Sequence, residues 1–554
     1  MRFLTLWGIG ALFSASIGAA TPADSQPPRL ERAGGTAQLW VDGRPFLIQG
    51  GELSNSSGEP DYLRPSWPKL KALNLNTIVA PVYWDVIEPA EAKFDFATVD
   101  GLLTDARANQ MRLVLLWFGS WKNSMSCYAP SWVKRDTVRF PRARDSQGQA
   151  LEILTPFAGS NRDTDALGFA ALMRHLRETD GSRHTVILVQ VENEIGMIPE
   201  ARDRCPAADI AFGGPVPAEL MDYLMKRRDT LAPELRDRWA AHGSRSSGTW
   251  TEVFGEGSAT SELFMAWYFG RYVETVAEAG RREYALPLYA NAALIRPGFQ
   301  PGQYPSAGPL PHLIDVWRAA SPSLDFISPD IYFPNFAEWA DRYARNGNPL
   351  FIPEALRSTE AAVNNLYAFG ACGGFGFSPF GIESMEEPAS GLLRASNDLI
   401  RQLAPLIVAN QGKGTMTSLL PPAADQGKPH EIPFGGLVLN VTYERLESPG
   451  LADGVINETG DHSSTRVPLP AGAIVIQLGQ DDLLIGGIGV TVTFSSTTPG
   501  DPHIGILDCA EGRYEDGQWH HQRWLNGDQT HQGRHVRLEP GHFALQRVRL
   551  YRYH

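Results

Sequence analysis

Eight short apolar runs separated by helix-length stretches between residues 38 and 380 constrain this chain most, because that alternation is the mark of a parallel sheet with crossover helices. The candidate strands are Phe46–Gly50, Thr77–Pro81, Arg112–Trp117, Val186–Val191, Leu286–Ala290, Phe326–Ile331, Leu350–Pro353 and Phe369–Phe377. Helices fit between them. Val99, Leu102, Leu103 and Ala106 recur at i, i+3, i+4 and i+7, and Leu263, Ala266, Trp267 and Gly270 repeat the spacing ahead of Val273 and Val276. An open doubly wound sheet alternates in the same way, so period alone does not separate it from a closed barrel. Closure is preferred because the residues suited to chemistry sit just past the C-terminal ends of several different strands, where (β/α)8 barrels carry their sites. Beyond residue 385 a helical pattern over 392–406 leads into runs such as Leu437-Val438-Leu439-Asn440-Val441, Ile474-Val475-Ile476-Gln477-Leu478 and Val490-Thr491-Val492-Thr493-Phe494, broken by Gly, Pro and Asp. The expected fold is therefore α/β: a (β/α)8 TIM barrel over residues 38–385, a helical connector over 386–411, and a smaller all-β, sandwich-like domain over 412–554.

The first twenty residues read as a secretory leader rather than as fold: Arg2 supplies the positive end, Phe3 to Phe13 the apolar stretch, and Gly18-Ala19-Ala20 the small-residue cleavage site. Export to the periplasm or beyond is expected. No later stretch reaches the roughly eighteen apolar residues of a membrane span, so none is expected. A net charge of −13 without a basic stripe argues against nucleic acid as a partner. Four cysteines in 554 residues do not make a disulfide framework. Cys127 and Cys205 fall in loop-like segments and form the one candidate bridge, while Cys372 and Cys509 read as buried thiols in strands. No cysteine pair has zinc-ligand spacing and no HExxH occurs, so no metal and no cofactor are expected. The glycine-rich Gly370–Gly376 run lacks the order of a dinucleotide loop, there is no Gly-x-Ser-x-Gly elbow, and His520, His521, His531 and His535 read as exposed hairpin residues.

Two of the apolar runs end on a carboxylate: Val189-Gln190-Val191-Glu192-Asn193-Glu194 and Leu350-Phe351-Ile352-Pro353-Glu354. Two carboxyl groups facing each other about 5–5.5 Å apart are what double displacement at a sugar carbon requires, one protonating the leaving oxygen and the other attacking. Glu194 is the candidate acid and base, Glu354 the candidate nucleophile. Asn193, an amide beside the acid, suits the sugar 2-hydroxyl, whose hydrogen bonds strengthen in the transition state. Tyr332, closing the preceding strand, is placed to donate to Glu354 and keep it ionised. Glu192 shares a strand face with Glu194 by alternation, which would set it one layer deeper in the barrel; it is read as a structural carboxylate, with Glu192 and Glu354 as the alternative pair. Asp330 is read the same way. Tyr83, Trp84 and Glu88 lie in the mouth region after the second strand. After the third, Trp117-Phe118-Gly119-Ser120-Trp121-Lys122-Asn123 packs rings and polar donors into seven residues, so Trp117, Trp121 and Asn123 are candidate sugar contacts.

These residues carry a resemblance. Asn193-Glu194 after strand four, Glu354 after strand seven and Tyr332 after strand six resemble the glycoside hydrolases that place their carboxylates on barrel strands four and seven. Within that group, Val191-Glu192-Asn193-Glu194-Ile195-Gly196 is similar to the Val-Glu-Asn-Glu-Tyr-Gly of family 35 β-galactosidases, and Leu75-Asn76-Thr77 with Trp84, Glu88-Pro89 and Phe94-Asp95-Phe96 resembles their second-strand signature. The resemblance covers the barrel. It implies Glu194 as acid/base, Glu354 as nucleophile, and Asn193, Tyr83 and Tyr332 as galactose contacts. Ile195 departs from the usual Tyr, and Gly50-Gly51-Glu52-Leu53-Ser54 lacks the Ser-Gly-Ser-Ile-His of animal and plant members. Together these departures point to a bacterial branch with a C-terminal β domain, associated with removing galactose from xyloglucan side chains. The leading expectation is thus a retaining exo-β-galactosidase acting on plant cell-wall oligosaccharides. The same machinery with another specificity (arabinopyranosidase, endo-glucanase or mannanase) and a catalytically silent carbohydrate-binding protein are the alternatives.

Overall fold

The computed structural model describes residues 26–422, 427–444, 447–449, 466–497, 500, 503–525 and 527–554. The leader read over residues 1–20 lies outside them. Eight parallel strands form a closed barrel: β1 (Ile48–Glu52), β2 (Thr77–Tyr83), β3 (Arg112–Lys122), β4 (Val186–Asn193), β5 (Leu288–Ala293), β6 (Phe326–Ile331), β7 (Phe351–Ala355) and β8 (Gly376–Pro379). They pair in chain order around the ring, and β8 returns to β1 through Gly376 opposite Ile48 and Phe377 opposite Gln49. That last pairing excludes the open sheet.

Strand alternation builds two layers. On β3, Leu113, Leu115 and Trp117 face the surrounding helices, whereas Val114, Leu116 and Phe118 face the interior with Ile48, Val79, Tyr289, Phe326 and Phe351. A three-stranded antiparallel sheet (Arg29–Ala33, Thr36–Val41, Arg44–Phe46), absent from the sequence reading, runs directly into the start of β1. It adds Leu39 and Val41 to the interior cluster and so plugs the end of the barrel opposite the strands' C-termini. The helical spacings hold: Val99, Leu102, Leu103 and Ala106 are the buried face of α1 (Ala97–Ala108), and the 263–276 stripe is buried in α3 (Ser258–Glu283), which packs beside α2 (Gly159–Asp180) outside β3 and β4.

One expectation is corrected, and the open question of a Cys127–Cys205 bridge is answered. The run Phe369–Phe377 is not one strand: Phe369 and Gly370 end α4 (Ala361–Gly370), the chain turns through Gly373 at φ 62°, and β8 starts only at Gly376. A continuous apolar run cannot by itself distinguish a helix end from a buried strand. Cys372 accordingly lies in the turn, half-buried, its thiol donating to Asp341 at 3.5 Å. Cys127 and Cys205 form no bridge; both are free thiols, the first exposed and the second buried.

After α5 (Ala389–Asn410) come a six-stranded and a four-stranded antiparallel sheet whose inner faces share one apolar core. Strand Gly472–Gly479 shows why its sequence is continuously apolar: Ala473 and Val475 enter that core, while Ile474 and Ile476 face the other way and join the barrel's cluster through α4 and α5. The β domain is therefore packed onto the barrel. Among the described residues no helix is long and apolar enough to cross a membrane.

Candidate functional site

The C-terminal ends of β1, β3, β4, β5, β6 and β7 bring Glu52, Lys122, Glu194, Asn291, Asp330 and Glu354 together, and all except Lys122 carry or orient a carboxylate. In β6 and β7 the register sets Asp330 directly beside Glu354. Single oxygens of Glu194, Asp330 and Glu354 lie within 4.8 Å of one another, and all three side chains are buried. Each carboxylate has one oxygen held by a neutral donor: Asn123 Nδ2 donates to Glu194 Oε2, Asn291 Nδ2 to Asp330 Oδ2 at 2.6 Å, and the Tyr332 hydroxyl to Glu354 Oε1. Asn291 also accepts from the Glu194 backbone N–H at 2.9 Å, so one amide fixes two of the three acids. Such a cluster has the oxygen ligands a hard cation takes. Lys122, a buried residue whose ammonium lies 5.2 Å from the Phe118 ring centre, brings positive charge to the same cluster.

Burial dominates the electrostatics. It pushes the Glu354 carboxyl up to about 7, the nearby Glu194 charge adds to this, and Lys122, the Tyr332 hydroxyl and a bond from Glu52 pull the other way. Glu52 and Asp330 are raised well above the usual carboxylate range, first by burial and then by the charge of Glu354. Glu52 Oε1 and Glu354 Oε2 are buried without a partner when both groups are counted as acceptors only. A proton kept on Glu52 and donated to Glu354 satisfies them together, which fits the opposite effects of that contact on the two groups. Both side-chain polar atoms of Asn193 are likewise buried and unpartnered, directly beside the acids. A buried amide with no protein partner is costly unless a ligand or water meets it.

Glu194 joins the carboxylate cluster through a break in strand geometry. The β3–β4 register shifts between the pairs Trp117–Val191 and Lys122–Asn193, and Glu192 and Glu194 take φ of 62° and 44°. Left-handed backbone in non-glycine residues costs on the order of 1–2 kcal/mol each and collects at functional sites. The same twist overturns the position expected for Glu192. It points out of the barrel, accepts from the Trp121 backbone N–H at 2.7 Å, and meets Asp165 of α2 in a buried carboxyl pair that raises its pKa after burial itself. Gly119 is needed there, because a Cβ would stand 2.7 Å from Glu192 Oε1 and 2.8 Å from Asp165 Oδ1.

Of the residues proposed from sequence, Glu194, Glu354, Asn193, Asn123 and Tyr332 come together. Trp117 and Trp121 do not. Trp117 is fully buried on the helix-facing side of β3, its indole donating to Asp165 at 2.9 Å, and Trp121 is fully buried against Phe269 and Tyr272 of α3. Alternation from the interior residue Phe118 sends Trp117 outward, and the bulge that follows takes Trp121 the same way. Tyr83 is buried at the end of β2 with its hydroxyl donating to Asn55 O at 2.8 Å and accepting from Gly58 N–H at 3.2 Å, so it clamps the loop after β1. Sequence reasoning missed Glu52, Lys122 and Asn291, and gave Asp330 a structural role. Glu52 and Lys122 are the last residues of β1 and β3, whereas Asn291 and Asp330 lie inside β5 and β6, so only the first two share the strand-end position that singled out Glu194 and Glu354.

Residues 393–537 match a family described only as a domain of unknown function, DUF5597. A β-galactosidase of Xanthomonas manihotis is 28% identical over 187 residues, 32% of this chain and 29% of that protein. Similar solved structures include the cold-adapted β-galactosidase of Rahnella sp. R3, with 17% identity, a TM-score of 0.45, and coverage of 65% of this chain and 56% of that one. The β-galactosidase of Bacillus circulans sp. alkalophilus gives 14%, 0.44, 65% and 57%. The chain thus spans under a third of the matched sequence relative and little more than half of these two solved chains.

Proposed function

We propose that this chain is a retaining exo-β-galactosidase that removes terminal β-galactose from neutral plant oligosaccharides such as xyloglucan fragments. The observation that carries the reading is the proximity of Glu194 and Glu354 at the strand ends, with oxygens within 4.8 Å and an unpartnered Asn193 amide alongside. That spacing suits attack by one carboxylate rather than the wider gap that admits a water. The sequence likeness to a β-galactosidase supports the choice of sugar.

In the first step Glu354 attacks C1 while Glu194 gives its proton to the glycosidic oxygen; the C1–O bond breaks and the alcohol leaves. In the second, Glu194 takes a proton from water, the water oxygen attacks C1, and Glu354 departs as carboxylate. Tyr332, Lys122 and the bond from Glu52 each favour the ionised form of Glu354, the form that attacks, against the burial that raises it. On the leader-like residues 1–20 alone, the proposal includes action outside the cytoplasm.

The test is trapping with a 2-fluoro-β-galactoside followed by peptide mapping, with NMR of the first-formed anomer. Label on Glu354 and a β product are expected. Label elsewhere, an inverted anomer, or endo cleavage of a polymer without galactoside turnover rejects the reading.

A further inference from the structure

A cleft of about 330 Å³ opens beside the carboxylate cluster, where the barrel meets the β domain. Its barrel side is made by Tyr332 and Phe333 after β6 and by Leu356 and Asn364 after β7; its far side is made by Leu420 and Leu469 of the β domain. Tyr332 belongs to both places, its hydroxyl on Glu354 and its ring in the cleft wall. Any chain leaving the reacting sugar on that side therefore runs between the two domains.

The lining selects the ligand. Leu356 and Tyr332, 48% and 37% exposed, both line this cleft and so offer apolar surface to a ligand in it. Ser358, Glu360 and Asn364 set hydrogen-bonding groups among them. Apolar faces interleaved with neutral polar groups match a saccharide, whose C–H faces want rings and aliphatic carbon and whose hydroxyls want amides and oxygens. Among the described lining residues, Glu360 is the one carboxylate and no cation faces it, so an acidic sugar is repelled and a neutral one accepted. From this geometry we infer that the cleft is an aglycone subsite, built jointly by barrel and β domain, that holds the neutral oligosaccharide from which the terminal sugar is cut. The inference rests on the glycosidase reading and gives the β domain a part in substrate selection.

The experiment measures kcat/KM for p-nitrophenyl β-galactoside and for a neutral oligosaccharide ending in β-galactose, on wild type and on Leu356→Ala, Asn364→Ala and Leu420→Ala. The ratio of oligosaccharide to aryl kcat/KM is expected to fall about fivefold in each variant, mainly through KM. Calorimetry with the galactose-free oligosaccharide reads the cleft without turnover; binding to wild type, weakened about fivefold in Leu356→Ala, is expected. An unchanged ratio in all three variants, or equal affinities in calorimetry, overturns the subsite. Failure of the wild type to cleave either galactoside, with oligosaccharide binding intact, overturns the glycosidase reading instead. Leu356 is half exposed, so its truncation does not depend on a core that has to refill.

Discussion

Replacing Tyr332 by Phe removes one hydroxyl from Glu354 and nothing else from the carboxylate cluster. A hydrogen bond to a charged group contributes about 1.5–3 kcal/mol, and because Tyr332 is 37% exposed the lower end applies. About 1.5 kcal/mol corresponds to roughly one pKa unit. The bond stabilises ionised Glu354, so its loss raises the pKa and shrinks the nucleophilic fraction at any given pH. The acidic limb of kcat/KM, expected near the value of about 7 at which Glu354 sits, should move up by about one unit. At a pH well below the limb this is about a tenfold loss; above it the two enzymes converge, apart from any constant factor from lost sugar contact. The assay is a pH series with p-nitrophenyl β-galactoside under kcat/KM conditions. The position of the limb is the readout, not its height. A limb that stays in place or moves down refutes the assignment of Tyr332 as the group that keeps Glu354 ionised.

Lys122→Met removes the cation that lowers both Glu354 and Glu52, and should move the same limb upward, with titration of kcat/KM as the check. Glu194→Gln should cost about 10²–10⁴ in kcat/KM on an alkyl galactoside and much less in kcat/KM on a dinitrophenyl galactoside, which needs no protonation to leave, while kcat on the latter still falls because the second step loses its base. Glu354→Gln should raise thermal stability at pH 8 by on the order of 1–3 kcal/mol while abolishing turnover. The sign follows from a folded pKa near 7 against an ordinary 4.5: stability is complete below about 4.5 and lost as pH rises through about 7, so melting at a fixed scan rate should fall from pH 5 to pH 8 more in wild type than in the variant. Trp117→Phe takes a buried donor from Asp165 and should destabilise by about 1–3 kcal/mol with KM for galactosides unmoved; a changed KM with unchanged melting would return Trp117 to the sugar site.

Much of the site was legible because barrels put chemistry at one end of their strands. A polar residue closing an apolar run reports both that the strand has ended and that its last side chain lies at the mouth. Glu194 and Glu354 were found that way. Glu52 and Lys122 also end their strands, but Gln49 and Ser120 interrupt those runs first, and Asn291 lies within β5, so the same test passes over them. The aromatic segment after β3 misled because ring content was weighed ahead of alternation: with Phe118 inward, Trp117 had to face α2. Glu192 was misplaced for the converse reason, since alternation was extended through a bulge whose left-handed residues no local composition announces.

By itself the sequence determined the alternation of strands and helices, the change to an all-β domain, and the carboxylates at two strand ends. These follow from side-chain periodicity and polarity, which are local properties. Tertiary structure alone decided that β8 closes on β1, that four acids and one lysine come together in one cluster, and that the β domain lies against the barrel beside Tyr332. The physical reason is range: propensity and period act over a few residues, whereas the field that raises Glu354 is summed over groups brought from strands far apart in the chain.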